Sequence, residues 1–277
     1  MQPSNLLGIN MGCEQVLILG VRVDAVTAAE ALDIIEQIVR EGRPRQVVTV
    51  NPEFVMAAQT NEAFRRVLNA ATLALPDGIG LVWAARILGQ RLPERVAGSD
   101  IVPRIAERAA GRGWRLFFLG AAPGVAERAA MRLAAQYPGL TVAGTYAGSP
   151  AAAEEDEIVA RVRAARPDIL FVAYGAPAQD LWIARNLERL GVPLCMGVGG
   201  TFDFIAGVTR RAPPWVQRLG LEWLHRLIHQ PWRWRRQLAL VKFVGLVLRE
   251  RLTKDQMCAI LTFRNSYFQK RDRGDNG

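Results

Sequence analysis

With 277 residues, half of them hydrophobic, the chain can bury a sizeable core, and its length corresponds to roughly one or two domains. Its net charge of +9 is unevenly placed: residues 1–209 carry 20 Lys and Arg against 21 Asp and Glu, whereas residues 210–254 carry 11 against Glu222 and Glu250 alone. No uncharged apolar stretch approaches the roughly 20 residues needed to cross a bilayer; the nearest, Leu238 to Leu248, is broken by Lys242, so a spanning protein is excluded.

The opening residues, Met1 to Glu14, lack the basic start and apolar run of a secretory signal, and no export is expected. Apolar, β-branched runs then recur at Val16 to Leu19, Gln46 to Val50, Thr72 to Leu75, Arg115 to Leu119, Leu140 to Thr145, Ile169 to Tyr174 and Leu194 to Val198, each of which reads as a buried strand. Helical patterns separate them at Ala28 to Arg40, Pro52 to Asn69, Ile101 to Ala110, Val125 to Tyr137, Glu154 to Ala165 and Leu181 to Leu190. Thr27 with Glu30 three residues on forms a capping box, and Asn51 before Pro52 marks another helix start. The βαβα alternation predicts an α/β fold, a Rossmann-like and mostly parallel sheet with helices on both faces, over residues 1–209. Cys13, Cys195 and Cys258 lie too far apart for a metal knuckle or redox pair and read as structural or incidental thiols of a reducing cytoplasm.

After Thr209 the composition changes. Pro213 and Pro214 punctuate a boundary, and four of the seven tryptophans fall between Trp215 and Trp234, interleaved with arginines. Trp215, Leu219, Trp223 and Leu227 share one helical face flanked by Arg218 and Arg226, the pattern of a helix lying in a membrane interface. Residues 210–254 are therefore expected to form a basic, Trp-rich helical appendage facing an anionic membrane surface; packing on the body or on a second subunit, as in a homo-oligomer, is the plainer alternative. Residues 255–277 are expected to be a partly disordered tail.

In parallel α/β sheets ligands bind beyond the carboxyl ends of the strands, so the residues there carry the functional reading. The segment Thr49-Val50-Asn51-Pro52-Glu53 supplies a strand residue and a helix cap whose exposed N-terminus favours an anion. Asp77 in Pro76-Asp77-Gly78 is either a turn residue or a carboxylate able to act as general base on a sugar hydroxyl. Arg95 to Asp100 offers an arginine and a small-residue turn. Gly120 to Gly124 lacks the dinucleotide fingerprint, which leaves hydride transfer with little support. Tyr174 to Asp180 and Gly197 to Asp203 complete the rim; the paired Gly199 and Gly200 let a nucleotide diphosphate approach the backbone. His225 and His229 lie one turn apart, but Arg226 stands where a zinc protease needs glutamate and no third ligand follows, so no metal is expected. Charge on a leaving diphosphate would then fall to arginine, and Arg226, Arg233 and Arg236 are spaced to meet it.

Taken in order, Thr49-x-Asn51, Pro76-Asp77-Gly78, Arg95 to Asp100, Gly175-x-Pro177-x-Gln179, Gly199-Gly200 with Phe202-Asp203, Arg211-Ala212-Pro213 and Leu221-Glu222-Trp223-Leu224 resemble the WecG/TagA/CpsF glycosyltransferases, from about Val16 to Arg236. The resemblance implies an inverting, metal-independent and cofactor-free transfer from a UDP-sugar donor to a sugar on undecaprenyl diphosphate, at the cytoplasmic face of the plasma membrane. It implies Asp77 as the base, Thr49 and Asn51 lining the sugar site, Arg95 and Gln179 contacting the donor, and Arg226, Arg233 and Arg236 closing over the diphosphate. The chain departs from the family pattern at Ala97 and at Asp180, where glutamate is expected. On the residues alone two other classes stay open, an NAD-type oxidoreductase and a nucleic-acid binder using the arginine and tryptophan segment.

Overall fold

Six parallel strands form the central sheet in the order β4-β3-β8-β7-β5-β6. In chain order they are β3 (Arg45–Val50), β4 (Leu73–Pro76), β5 (Arg115–Gly120), β6 (Thr141–Tyr146), β7 (Ile169–Ala173) and β8 (Leu194–Gly197). The structure is a computed structural model that describes residues 13–209, 212–213, 216, 227–228 and 238–253.

Alternation along each strand divides the core between two faces, because successive side chains point to opposite sides. Leu116 and Phe118 of β5 and Ile169 and Phe171 of β7 pack with α1 (Ala28–Glu41), α5 (Gly98–Arg112), α6 (Val125–Gln136) and α9 (Thr201–Ile205). Their neighbours Phe117, Leu119, Leu170 and Val172 pack with α7 (Glu155–Ala165) and α8 (Ala178–Leu190). Val48 and Val50 face α2 (Pro52–Thr60), α3 (Glu62–Ala70) and α4 (Ile79–Ile87). The result is the Rossmann-like sheet with helices on both faces that the βαβα pattern predicts.

The structure departs from the sequence reading in three places along the chain's first half and at α9. The first apolar run does not join the sheet: β1 (Gln15–Ile18) pairs antiparallel with β2 (Val21–Asp24). Leu19 and Gly20 both take positive φ, 50° and 77°, so the chain reverses within two residues where a parallel crossover would need a dozen or more. The hairpin is anchored by Asp24, fully buried, whose carboxylate accepts from the Ala74 N–H at 2.7 Å and the Arg22 guanidinium at 3.2 Å. The single helix expected from Pro52 to Asn69 is two, broken at Asn61, whose side chain accepts from the Phe64 N–H at 3.0 Å and so caps α3. Finally, α4 and α9 were not foreseen.

Residues 238–253 are helical and return to the body. Phe243 and Val247 are buried with Val16, Ile18 and Leu81, and the Glu250 carboxylate accepts from the Leu19 N–H at 3.1 Å. Leu238, Val241, Val244, Leu248 and Leu252, spaced every third or fourth residue on the other side, are exposed.

Candidate active site

All six parallel strands end at one rim, and α2, α4, α5, α6, α8 and α9 start near it. Asp77 follows β4 directly. Its N–H donates to the Val50 carbonyl at 2.7 Å, which fastens it beside the end of β3. Its Oδ2 accepts from the Gly98 N–H at 3.1 Å. Gly98 is the first residue of α5, whose N-cap, Ala97, offers no side-chain bond. The Asp77 carboxylate therefore caps α5, and the positive end of that helix favours the charge placed there. Twenty-one residues separate the two partners, so only the tertiary fold brings them together.

Gly98 marks the centre of the cluster. A Cβ built on it would stand 3.4 Å from Thr201 Oγ1, 3.5 Å from Thr49 Cγ2 and 3.7 Å from Asp77 Oδ2. A methyl group there would make ordinary van der Waals contact with all three, which marks the point where β3, the residue after β4, α5 and α9 converge. Thr49 is 4% exposed and its hydroxyl donates to the Gly197 carbonyl at 3.2 Å, which locks the ends of β3 and β8 to each other. Asn51 caps α2, its Oδ1 accepting from the Phe54 N–H at 2.9 Å. Arg95, ahead of α5, pairs with Asp100 at 2.9 Å.

Gln179 sits in the first turn of α8, 1% exposed. Its Oε1 accepts from two backbone N–H groups, Gly175 at 3.1 Å and Gly199 at 3.0 Å. Gly199 and Gly200 form the turn between β8 and α9, with Gly200 as the N-cap residue of α9. Arg226, Arg233 and Arg236 lie outside the described residues, as do Arg218, Trp215, Leu219, Trp223, His225, His229 and the tail 255–277. Among the described residues no group of three or more His, Cys, Asp or Glu side chains could hold a metal ion, and no helix is long and apolar enough to cross a membrane.

Sequence reasoning missed Gly98 as the partner of Asp77, Thr201 as its neighbour, and the burial of Asp180. The Asp180 side chain is completely buried, and burial pushes its carboxyl up to about 7; the Gln179 side chain and its own backbone amide oppose this only in part. These neighbours lie close without hydrogen-bonding geometry to either carboxyl oxygen. With the folded-state pKa above the ordinary 3.8, the native protein holds a proton that the unfolded chain releases. This contribution to stability is complete at low pH and is lost as pH rises toward about 7. Asp180→Asn keeps the shape and removes the titration. Between about pH 5 and pH 7.5 the wild-type melting temperature should fall by roughly 5 °C more than that of the variant; parallel profiles would contradict a neutral, buried Asp180.

The arrangement sets an anchored carboxylate and the glycine turns after β7 and β8 at the same sheet rim, where parallel α/β sheets take their ligands, and it suits proton abstraction rather than hydride transfer. Residues 16–257 match the family described as Glycosyl transferase WecG/TagA/CpsF family. An N-acetylglucosaminyldiphosphoundecaprenol N-acetyl-beta-D-mannosaminyltransferase of Bacillus spizizenii is 36% identical over 203 residues, covering 73% of this chain and 78% of the relative. A protein of the same name in Bacillus subtilis is 36% identical over 209 residues, covering 75% of this chain and 80% of its own. With a match running from the first hairpin past the last described helix, the chain belongs to the WecG/TagA/CpsF family and is a glycosyltransferase.

Proposed function

We propose that the chain moves a hexose or N-acetylhexosamine-type sugar from a UDP-sugar to an undecaprenyl-diphosphate-linked acceptor, in a single inverting displacement that uses no metal. The observation that carries this reading is Asp77, pinned between the Val50 carbonyl and the Gly98 N–H at the convergence of four elements. A carboxylate so held can take the proton from an acceptor hydroxyl as that oxygen attacks the anomeric carbon and UDP departs. The acceptor class is supported by the two Bacillus relatives, both named for transfer to N-acetylglucosaminyldiphosphoundecaprenol.

Arg226, Arg233 and Arg236 supply the positive charge for the leaving diphosphate, in place of a divalent ion. The protein works at the cytoplasmic face of the plasma membrane without spanning it, because its acceptor is lipid-borne. Support comes from the helical residues 238–253: the exposed stripe from Leu238 to Leu252 is flanked by exposed Lys242 and Arg249, the composition that favours an anionic interface. The segment 210–254 acts as the part that meets lipid, and its docking completes the site.

The test is a panel of UDP-sugars incubated with a lipid-diphosphate-linked N-acetylglucosamine acceptor, product being read by mass. One donor should add a single sugar residue and release UDP. A full panel without product, in protein that binds UDP, would refute the acceptor; failure to bind UDP would refute the donor.

A further inference from the structure

Gln179 is polar, lies at the rim and is nevertheless 1% exposed. Its Oε1 accepts from Gly175 and Gly199 together, at 3.1 and 3.0 Å. Only an oxygen can accept both N–H groups, so the orientation of the amide is fixed by its partners. Those partners belong to separate turns, the one after β7 and the one after β8. Both glycines hold positive φ, 78° and 51°, and a Cβ placed on either would meet nothing within 4 Å, so both backbones present an open face.

The other end of the same side chain is wedged. A Cβ on Gly197 would fall 2.7 Å from Gln179 Nε2 and 2.5 Å from Asp180 Oδ1, so residues 179 and 180 fill the space against the end of β8. Gln46 of β3 donates to the Asp180 carbonyl at 3.1 Å, and Thr49 of β3 donates to the Gly197 carbonyl at 3.2 Å. One buried side chain thus joins two glycine turns, backed on the far side by the strand that leads to Asn51.

We propose that Gln179 serves the transfer without touching the donor: its oxygen fixes the spacing of the Gly175 and Gly199 turns, and hence the shape of the backbone cradle offered to the donor diphosphate. This differs from the donor contact that the family resemblance implies for Gln179, and it rests on the reading that this crevice takes the UDP end of the donor. Loss of the oxygen leaves two N–H groups without their partner, so the turns relax and the cradle is no longer preorganised.

Gln179→Met keeps the length and removes the acceptor; Gln179→Glu keeps an acceptor oxygen. In the full-length protein without ligand, amide exchange at Gly175 and Gly199 should accelerate together, at least about tenfold, in the Met variant, while Phe171 and Val172 in β7 keep their protection. UDP affinity should weaken by about tenfold or more, and the donor KM should rise more than kcat falls. The Glu variant should recover most of the protection and of the affinity, which also guards against a Met variant that merely folds poorly. Unchanged exchange at both glycines in the Met variant, with UDP binding lost, would overturn the brace in favour of direct contact. So would a UDP-bound structure in which the Gln179 amide leaves the turns and reaches the ligand. Wild-type protein that binds no UDP would instead overturn the donor reading, and the exchange data would still decide whether the brace exists.

Discussion

Replacing Asp77 by Asn should reduce transfer by about 10²–10⁴-fold while UDP binds within a few-fold of the wild-type affinity. The expectation follows from what the substitution retains. An Asn oxygen can still accept from the Gly98 N–H, so the start of α5 stays capped and the convergence of Thr49, Gly98 and Thr201 is preserved. What disappears is the ability to take a proton at neutral pH. The loss should therefore appear in kcat, with thermal stability nearly unchanged, because no buried cavity is made and no backbone group loses its partner. Equilibrium titration with UDP and single-turnover transfer assays separate the two effects. Near-normal turnover would remove Asp77 from the role of base, and lost nucleotide binding would recast it as a structural cap.

The second large effect is expected in the cationic segment. Substituting Arg226, Arg233 and Arg236 together by Gln should lower kcat by roughly 10²–10³-fold or more, the scale set by removing positive hydrogen-bond donors from a developing anion. The residues lie in a part of the chain that the structure does not describe, so their approach to the crevice belongs to the proposal. Substitution is a cleaner experiment than deletion. Cutting the chain at Arg210 also strips Phe243 and Val247 from the core shared with the β1–β2 hairpin, together with the Glu250 contact to Leu19. Losing a buried Phe alone costs about 3–5 kcal/mol, so an inactive truncation would report unfolding as readily as lost chemistry. An unaffected transfer rate in the triple variant would refute charge neutralisation by these arginines.

The parallel sheet was legible because five of its six strands are buried on both faces, which makes them short apolar runs between turn residues, whereas the edge strand β6 is only half-buried. Their observed ends fall within a residue or two of the expected ones. The hairpin was not legible, since Leu19 takes the positive φ usually reserved for glycine and hides the reversal. Helix α4 escaped for a different reason: Ile79 to Ile87 is apolar on nearly every side and shows no amphipathic period, while Gly78 and Gly80 at its start read as a loop. Asn61 ends one helix and caps the next, a double duty that an uninterrupted periodic pattern conceals.

The site divides in a similar way. Asp77 could be picked out because a carboxylate directly after a strand falls at the rim by topology alone. Its partner Gly98 could not, because a backbone N–H leaves no mark in sequence and the contact spans twenty-one positions. Gln179 was singled out correctly as a rim residue, but its burial was invisible: polar residues in a first helical turn normally face solvent or ligand, and only the packing of Gly197 against residues 179 and 180 turns these inward. Asp180 was placed at the rim too, but its burial was equally hidden, since nothing local distinguishes a solvated helix-start carboxylate from one sealed against a glycine strand end.

The central claim is that acceptor deprotonation takes place at Asp77 in this crevice. A structure of the protein with UDP and an acceptor analogue tests it most directly. The account predicts the diphosphate against the Gly175 and Gly199 turns and the acceptor hydroxyl within about 2.6–3.2 Å of an Asp77 carboxylate oxygen, or one water away. A ternary complex with the hydroxyl beside a different base, and Asp77 out of reach of it, would contradict it.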